Sequence, residues 1–154
     1  MRKFLVSVIG GHECDDSAAK LAEDIGSVVA EEGAVLICGG LAGIMEAACR
    51  GAKKSNGLTV GIIPGEDKEA ANAYVDIAIA TGMGYSRNTL VAGTPDMVVA
   101  LPGKYGTLSE IGFALNARIP VYGFGTWDIE GVETLKTIEE LKTILNEKKR
   151  QLKG

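Results

Sequence analysis

The segment Val35-Leu36-Ile37-Cys38-Gly39-Gly40-Leu41-Ala42-Gly43-Ile44-Met45 reads as a strand, a glycine loop and a helix start, in that order. Val35–Cys38 is a short unbroken apolar run, the pattern of a strand covered on both faces. Gly39, Gly40 and Gly43 end it. Ile44 to Lys54 then has helical spacing and stops at Asn56-Gly57. A strand that feeds a helix through glycines is half of a βαβ unit, so the question is whether the pattern repeats.

It does, in both directions. Upstream, Phe4–Ile9 is a β-rich run that ends at Gly10-Gly11. Ala18 to Glu32 then places Leu21, Ile25, Val28 and Val29 on one helical face. Asp15, Asp16 or Ser17 can cap its start, and Gly33 suits its end. Downstream, Leu58–Ile63 is a third strand, stopped by Pro64-Gly65. A short helix is expected over Lys68–Tyr74, a fourth strand over Val75–Ala80, a helix over Ser86–Gly93 and a fifth strand over Met97–Leu101. Leu108–Ala117 reads as a helix and Ile119–Phe124 as a sixth strand. Thr137 opens a final helix with a capping box, Thr137 and Glu140 serving each other's backbone donors. Lys148, Lys149 and Arg150 crowd its end, where the helix dipole favours cations and a solvated face is expected. The class is α/β: one Rossmann-like, doubly wound parallel sheet of six to seven strands with helices on both faces. With no linker and no internal repeat, residues 1–154 are expected to form one phosphate- or nucleotide-binding domain.

Composition narrows the function classes. The net charge is −4, which disfavours nucleic-acid binding. The longest uncharged stretch, Gly33–Met45, is too short for a membrane span. Phe4–Ile9 is short for a signal segment and lacks a small-residue cleavage site. Cys14, Cys38 and Cys49 form no C-x-x-C pair and read as free thiols. A cytoplasmic protein is expected. His12 is the only histidine, so no His-based metal cluster or Ser-His-Asp triad can form without it, and no metal is expected. The chain has 21 glycines, and twelve of them fall at the ends of expected strands or in the loops just after them.

In doubly wound sheets, ligands bind beyond the carboxyl ends of the strands, where the strand order reverses. The loops after the first and fourth strands are expected to flank that point. Four loops supply candidates: Gly10-Gly11-His12-Glu13-Cys14, Gly39–Gly43, Thr81–Asn88 and Pro102–Thr107. The second and fourth lead straight into helices. Glycines there let backbone N–H groups converge, and the helix start adds free donors and partial positive charge, which suits phosphate. The phosphate contacts expected are Gly10, Gly11, Gly39, Gly40, Gly43, Met83, Gly103, Lys104, Gly106 and Thr107. Neither G-x-x-x-x-G-K-[ST] nor G-x-G-x-x-G occurs, which disfavours a P-loop kinase or a full dinucleotide site.

Arg87 is the only arginine between Arg50 and Arg118. It can clamp a phosphate or carboxylate, and at a helix start it needs an anion to compensate it. Glu110 reads either as dipole compensation in a first helical turn or as a carboxylate facing the crevice floor. Trp127 and Asp128 follow the last expected strand and can shape a rim.

Pro102-Gly103-Lys104-Tyr105-Gly106-Thr107-Leu108-Ser109-Glu110 resembles the P-G-G-x-G-T-x-x-E motif of the Lonely Guy (LOG) proteins. These are Rossmann-like nucleoside 5′-monophosphate phosphoribohydrolases, long mislabelled lysine decarboxylases. Cys38–Met45 similarly resembles that family's G-G-G-x-x-G-x-M loop, and Met83–Asn88 its arginine-bearing segment. The likeness is nearest to the neighbouring branch that includes molybdenum cofactor carrier proteins. It implies catalytic roles for Arg87 and Glu110 in hydrolysis of an N-glycosidic bond, through an oxocarbenium-like transition state that a carboxylate can stabilise. It also implies a homodimer or higher homo-oligomer. No cofactor is required for that reaction; a bound nucleoside monophosphate or a pterin-type cofactor is the expected ligand. Pyridoxal phosphate is not expected, because no lysine with a partner for the ring nitrogen is recognisable. Three positions depart from the LOG pattern: Lys104 and Cys38 replace glycines, and Asn88 replaces a lysine. The alternatives to a hydrolase are a carrier of a phosphorylated cofactor, such as molybdenum cofactor, and a nucleotide-sensing module.

Overall fold

The computed structural model describes residues 1–154, and its elements follow the alternation of apolar runs. They are β1 (Leu5–Ile9), α1 (Asp16–Glu31), β2 (Val35–Cys38), α2 (Ile44–Lys54), β3 (Thr59–Ile63), β4 (Ile77–Ala80), α3 (Asn88–Gly93), β5 (Met97–Ala100), α4 (Tyr105–Asn116), β6 (Val121–Gly123), β7 (Val132–Thr134) and α5 (Ile138–Lys153). All seven strands are parallel in one sheet, ordered β4-β3-β2-β1-β5-β6-β7. The fold is α/β and Rossmann-like. No helix is long and apolar enough to cross a membrane.

Strand residues alternate between two cores. On one face, Val6, Val8, Leu36, Cys38, Met97 and Val99 meet α1, α2 and α5 in a cluster of 24 buried residues. On the other, Ile9, Ile37, Ile62, Val98, Ala100 and Val121 meet only α3 and α4, in a cluster of ten. The first face is held by a very close helix pair. A Cβ on Gly26 of α1 would stand 1.9 Å from the Ala48 carbonyl, and one on Gly51 of α2 would stand 1.8 Å from that of Glu23. Glycine inside a helix costs about 1 kcal/mol against alanine. Here it lets two backbones touch and brings the sheet-facing sides of α1 and α2 down together.

The caps are local chemistry. Asp15, the first of the three candidate residues, accepts from the Ala18 N–H and starts α1. Gly33 follows the end of α1 at φ +74°, a conformation that favours glycine. At α5, the Thr137 hydroxyl accepts from the Glu140 N–H. The Glu140 carboxylate, however, reaches the Thr137 hydroxyl rather than its backbone N–H, so only half of the expected capping box forms. Lys149 is not purely solvated: its Nζ donates to the Glu32 carbonyl at the end of α1.

Several boundaries differ from expectation, each for a visible reason. The helix expected over Lys68–Tyr74 is a single 3-10 turn, Lys68–Ala70. Asn72 stops it by binding the Gly40 carbonyl through its backbone N–H and the Leu41 carbonyl through its side chain. The fourth strand starts at Ile77 rather than Val75. Ser86 lies in a 3-10 turn, Gly84–Arg87, and α3 begins only at Asn88. α4 begins at Tyr105, three residues before Leu108, because Gly106 and Thr107 form its first turn instead of a loop. Val132–Thr134 is a seventh strand without an apolar run, only partly buried at the sheet edge.

The switch point also moves. β4 extends the sheet beyond β3 instead of crossing to the far side of β1. The order therefore reverses between β1 and β5, and the loops after the first and fifth strands flank the crevice, not those after the first and fourth.

Candidate anion-binding site

The crevice is built where the β1 and β5 loops meet α2. The Gly11 N–H donates to the Pro102 carbonyl at 2.8 Å, and the Gly11 carbonyl accepts from the Ile44 N–H at 3.0 Å. One residue thus ties the β5 loop to the start of α2. Gly43 is at φ +66°, and a Cβ there would meet the Gly11 and His12 carbonyls at 2.3 and 2.4 Å. Gly10 leaves room for the Ile44 side chain, and Gly40, at φ +78°, closes over β3. At Gly103 a Cβ would lie 2.0 Å from the Thr107 hydroxyl. These glycines are demanded by the protein's own close approaches.

Gly106 is different. A Cβ there would meet only the Asn88 amide, at 3.8 Å, so the fold leaves open space above it. α4 has no side-chain cap, and the N–H groups of Tyr105, Gly106 and Thr107 donate to no protein atom. α2 also lacks a side-chain cap, although its Ile44 N–H is already engaged by Gly11. Free first-turn donors carry the positive end of the helix dipole and attract an anion.

Between these helix starts lie two buried charges. Arg87 is 8% exposed. Its Nε donates to the Ile62 carbonyl at 2.9 Å, Nη2 to that of Gly39 at 3.3 Å, and Nη1 to the Asn88 side-chain oxygen. A guanidinium has five N–H donors, so two remain for a ligand. Burial pulls the Arg87 pKa below its ordinary value, and the Glu110 charge opposes that pull. Glu110 is the nearby carboxyl that acts most on Arg87, yet no ion pair or hydrogen bond joins them directly.

Glu110 is also 8% exposed. Because α4 starts at Tyr105, Glu110 lies in the second turn, and the dipole-compensation reading falls away. Burial pushes its carboxyl up to about 7, against the pull of Arg87. Thr107, three residues earlier on the same helical face, is 3% exposed. Neither the Thr107 hydroxyl nor the Glu110 carboxylate makes a protein hydrogen bond, and neither is sealed from solvent, since the only fully buried unpartnered side-chain atom is the Thr126 hydroxyl. Both therefore keep polar atoms that solvent reaches, on the helix whose start borders the crevice.

The three departures from the LOG pattern have defined places. Asn88 is 4% exposed; besides accepting from Arg87 it donates to the Ser109 hydroxyl at 3.4 Å, which in turn donates to the Gly106 carbonyl. It positions the arginine, a role that sequence reasoning missed because its partner lies 21 residues on. Cys38 belongs to the core against α2 rather than to the crevice: its Sγ is 3.5 Å from that of Cys49 and accepts from the Gly40 N–H. Cys14 is exposed. Lys104 is exposed at the lip, immediately before α4. Met83 is 43% exposed on a turn tied back to Pro64 and Gly65, toward the β3–β4 side.

A Rossmann-like protein with a glycine-lined crevice and an uncapped helix start at its switch point is the class that this fold and site define. More narrowly, the chain belongs to the SLOG cluster4 family, whose model matches residues 3–152. The molybdenum cofactor binding protein of Rippkaea orientalis is 36% identical, with a TM-score of 0.86 over 94% of this chain and 99% of that one. The molybdenum cofactor carrier protein of Chlamydomonas reinhardtii is 28% identical, with a TM-score of 0.86 over 96% and 98%. A cytokinin riboside 5′-monophosphate phosphoribohydrolase of Arabidopsis thaliana is 32% identical over 70% of this chain, which spans only 47% of that relative.

Proposed function

We propose that this protein holds a phosphorylated heterocyclic ligand in the crevice and serves as a carrier of a pterin-type cofactor, molybdenum cofactor being the ligand named for the similar structures. One observation carries the reading. Thr107 and Glu110, nearly buried and without protein partners, lie on α4, whose start borders the crevice and offers three free N–H donors. Buried polar groups ordinarily find partners, so groups left open in this way reserve their bonds for a ligand. The open space over Gly106 lets a phosphate approach the backbone, and Arg87 has two donors left for a second anionic oxygen. The full-length likeness to molybdenum cofactor proteins supports the pterin as cargo.

A second reading, nucleoside 5′-monophosphate phosphoribohydrolase, is favoured by the retained pair Arg87 and Glu110. A carboxylate there can stabilise the positive charge that grows on the ribose as the N-glycosidic bond breaks. A carboxyl near 7 is only partly ionised at neutral pH, which weakens that role. Two measurements separate the readings. Protein purified from its own cells should carry a ligand that gives pterin fluorescence after oxidation. Incubation with a panel of nucleoside monophosphates should release no free base. Base release that Glu110→Ala abolishes would replace the carrier by the hydrolase. If neither a pterin nor any phosphate-bearing compound raises the melting temperature, both readings fail.

A further inference from the structure

Tyr105 and Trp127 stand at the lip of the crevice with their rings stacked, centroids 6.4 Å apart and planes 30° from parallel. Tyr105 is 79% exposed and Trp127 38% exposed. Two large aromatics side by side in water forgo burial that each would otherwise gain. The pair is nevertheless fixed. Tyr105 is the first residue of α4, and the Trp127 indole N–H donates to the Lys104 carbonyl at 3.3 Å. That bond links the loop after β6 to the residue immediately before α4. The platform therefore moves with the three free N–H groups, since Tyr105 supplies one of them.

We infer that Tyr105 and Trp127 form the stacking subsite for the planar ring of the ligand, a purine or a pterin, whose phosphate binds at the start of α4. This rests on the anion-site reading above and extends it to the other end of the ligand. A π-face accepts any flat heterocycle, so the platform selects for a ring without specifying which one.

Trp127 is the only tryptophan, so its fluorescence reports on this subsite alone. The intact protein would be titrated with adenosine 5′-monophosphate, 6-hydroxymethylpterin monophosphate and ribose 5-phosphate, with calorimetry in parallel. A ring-bearing ligand should quench Trp127, whereas ribose 5-phosphate should bind without quenching. Quenching by only one of the two ring ligands assigns the subsite to that heterocycle. Tyr105→Ala, at a largely exposed position, should weaken the quenching ligand about tenfold and leave ribose 5-phosphate unchanged. Trp127→Phe should retain most of the affinity by calorimetry. If ribose 5-phosphate binds as tightly as the ring ligands, or Tyr105→Ala leaves their affinity intact, the platform is overturned while the anion site stands. If none of the three binds, the anion site is wrong and the platform falls with it.

Discussion

A side chain at Gly39 and the guanidinium of Arg87 cannot share the crevice: a Cβ there would lie 2.7 Å from Nη2 and 3.1 Å from Cζ. The same Cβ would lie 2.7 Å from the Met45 sulfur, so the arginine and the start of α2 close on Gly39 together. Gly39→Ala should therefore fold and yet displace Arg87, weakening phosphate-bearing ligands by about tenfold or more. The thermal shift given by a saturating phosphorylated ligand measures this. A variant that keeps the full shift would uncouple Arg87 from the ligand.

Glu110 makes stability depend on pH in a definite direction. Its ordinary carboxyl value of 4.5 is raised to about 7 in the fold. Below 4.5 both states hold the proton and nothing is lost. Between 4.5 and about 7 the unfolded chain releases it first, so stability falls as pH rises. Above 7 the cost levels off at about 3 kcal/mol. Glu110→Gln should match the wild type at pH 4 and be the more stable protein at pH 8. Denaturant melts at the two values decide it, and a gap that narrows toward alkaline pH contradicts the assignment.

Lys104 is exposed, and its backbone rather than its side chain holds Trp127 and Leu108. Lys104→Gly should change stability by no more than about 0.5 kcal/mol. It should lower affinity for a phosphate-bearing ligand severalfold at low salt and flatten the salt dependence, because an exposed charge acts through screened attraction. Isothermal titrations at two ionic strengths test both effects. Unaltered salt dependence would remove Lys104 from the anion site.

The α1–α2 contact gives a prediction remote from the ligand. Gly51→Ala places a methyl 1.8 Å from the Glu23 carbonyl, so the helices must separate. Overpacking of this kind costs about 1–3 kcal/mol, despite alanine's better helix propensity. The melting temperature should fall by several degrees. A rise, as helix propensity alone predicts, would mean that the pair is not closely packed.

Much of this was legible in the sequence because the central parallel strands are nearly continuous apolar runs. Val35–Cys38 and Met97–Ala100 announce themselves, Val6–Ile9 is interrupted only by Ser7, and the glycine loops behind β2 and β5 mark the ends where the crevice lies. Three failures have one kind of cause. β7 has no apolar run, since Glu133 and Thr134 are exposed at a sheet edge. The start of α4 was hidden because Gly106 looks like loop, although a first helical turn with open space above it tolerates glycine. The strand order turns on whether β4 extends one half of the sheet or opens the other, which local pattern does not encode.

The site divides in the same way. Arg87, Glu110 and the glycine loops could be named from motif and position. Their relationships could not, because they link distant residues: Arg87 with Gly39, Asn88 with Ser109, Tyr105 with Trp127. Tyr105 stands inside the quoted motif, and the signal that would have singled it out is an aromatic at the first position of an uncapped helix.

Gly11, bonded through its N–H to Pro102 and through its carbonyl to Ile44, rivets the two halves of the crevice into one piece. The ordering cost of bringing those loops together is met when the chain folds, not when a ligand arrives. A crevice built this way needs no closing step: capture of a ligand should follow a single fast phase, and release should be governed by how many bonds the ligand must break at once.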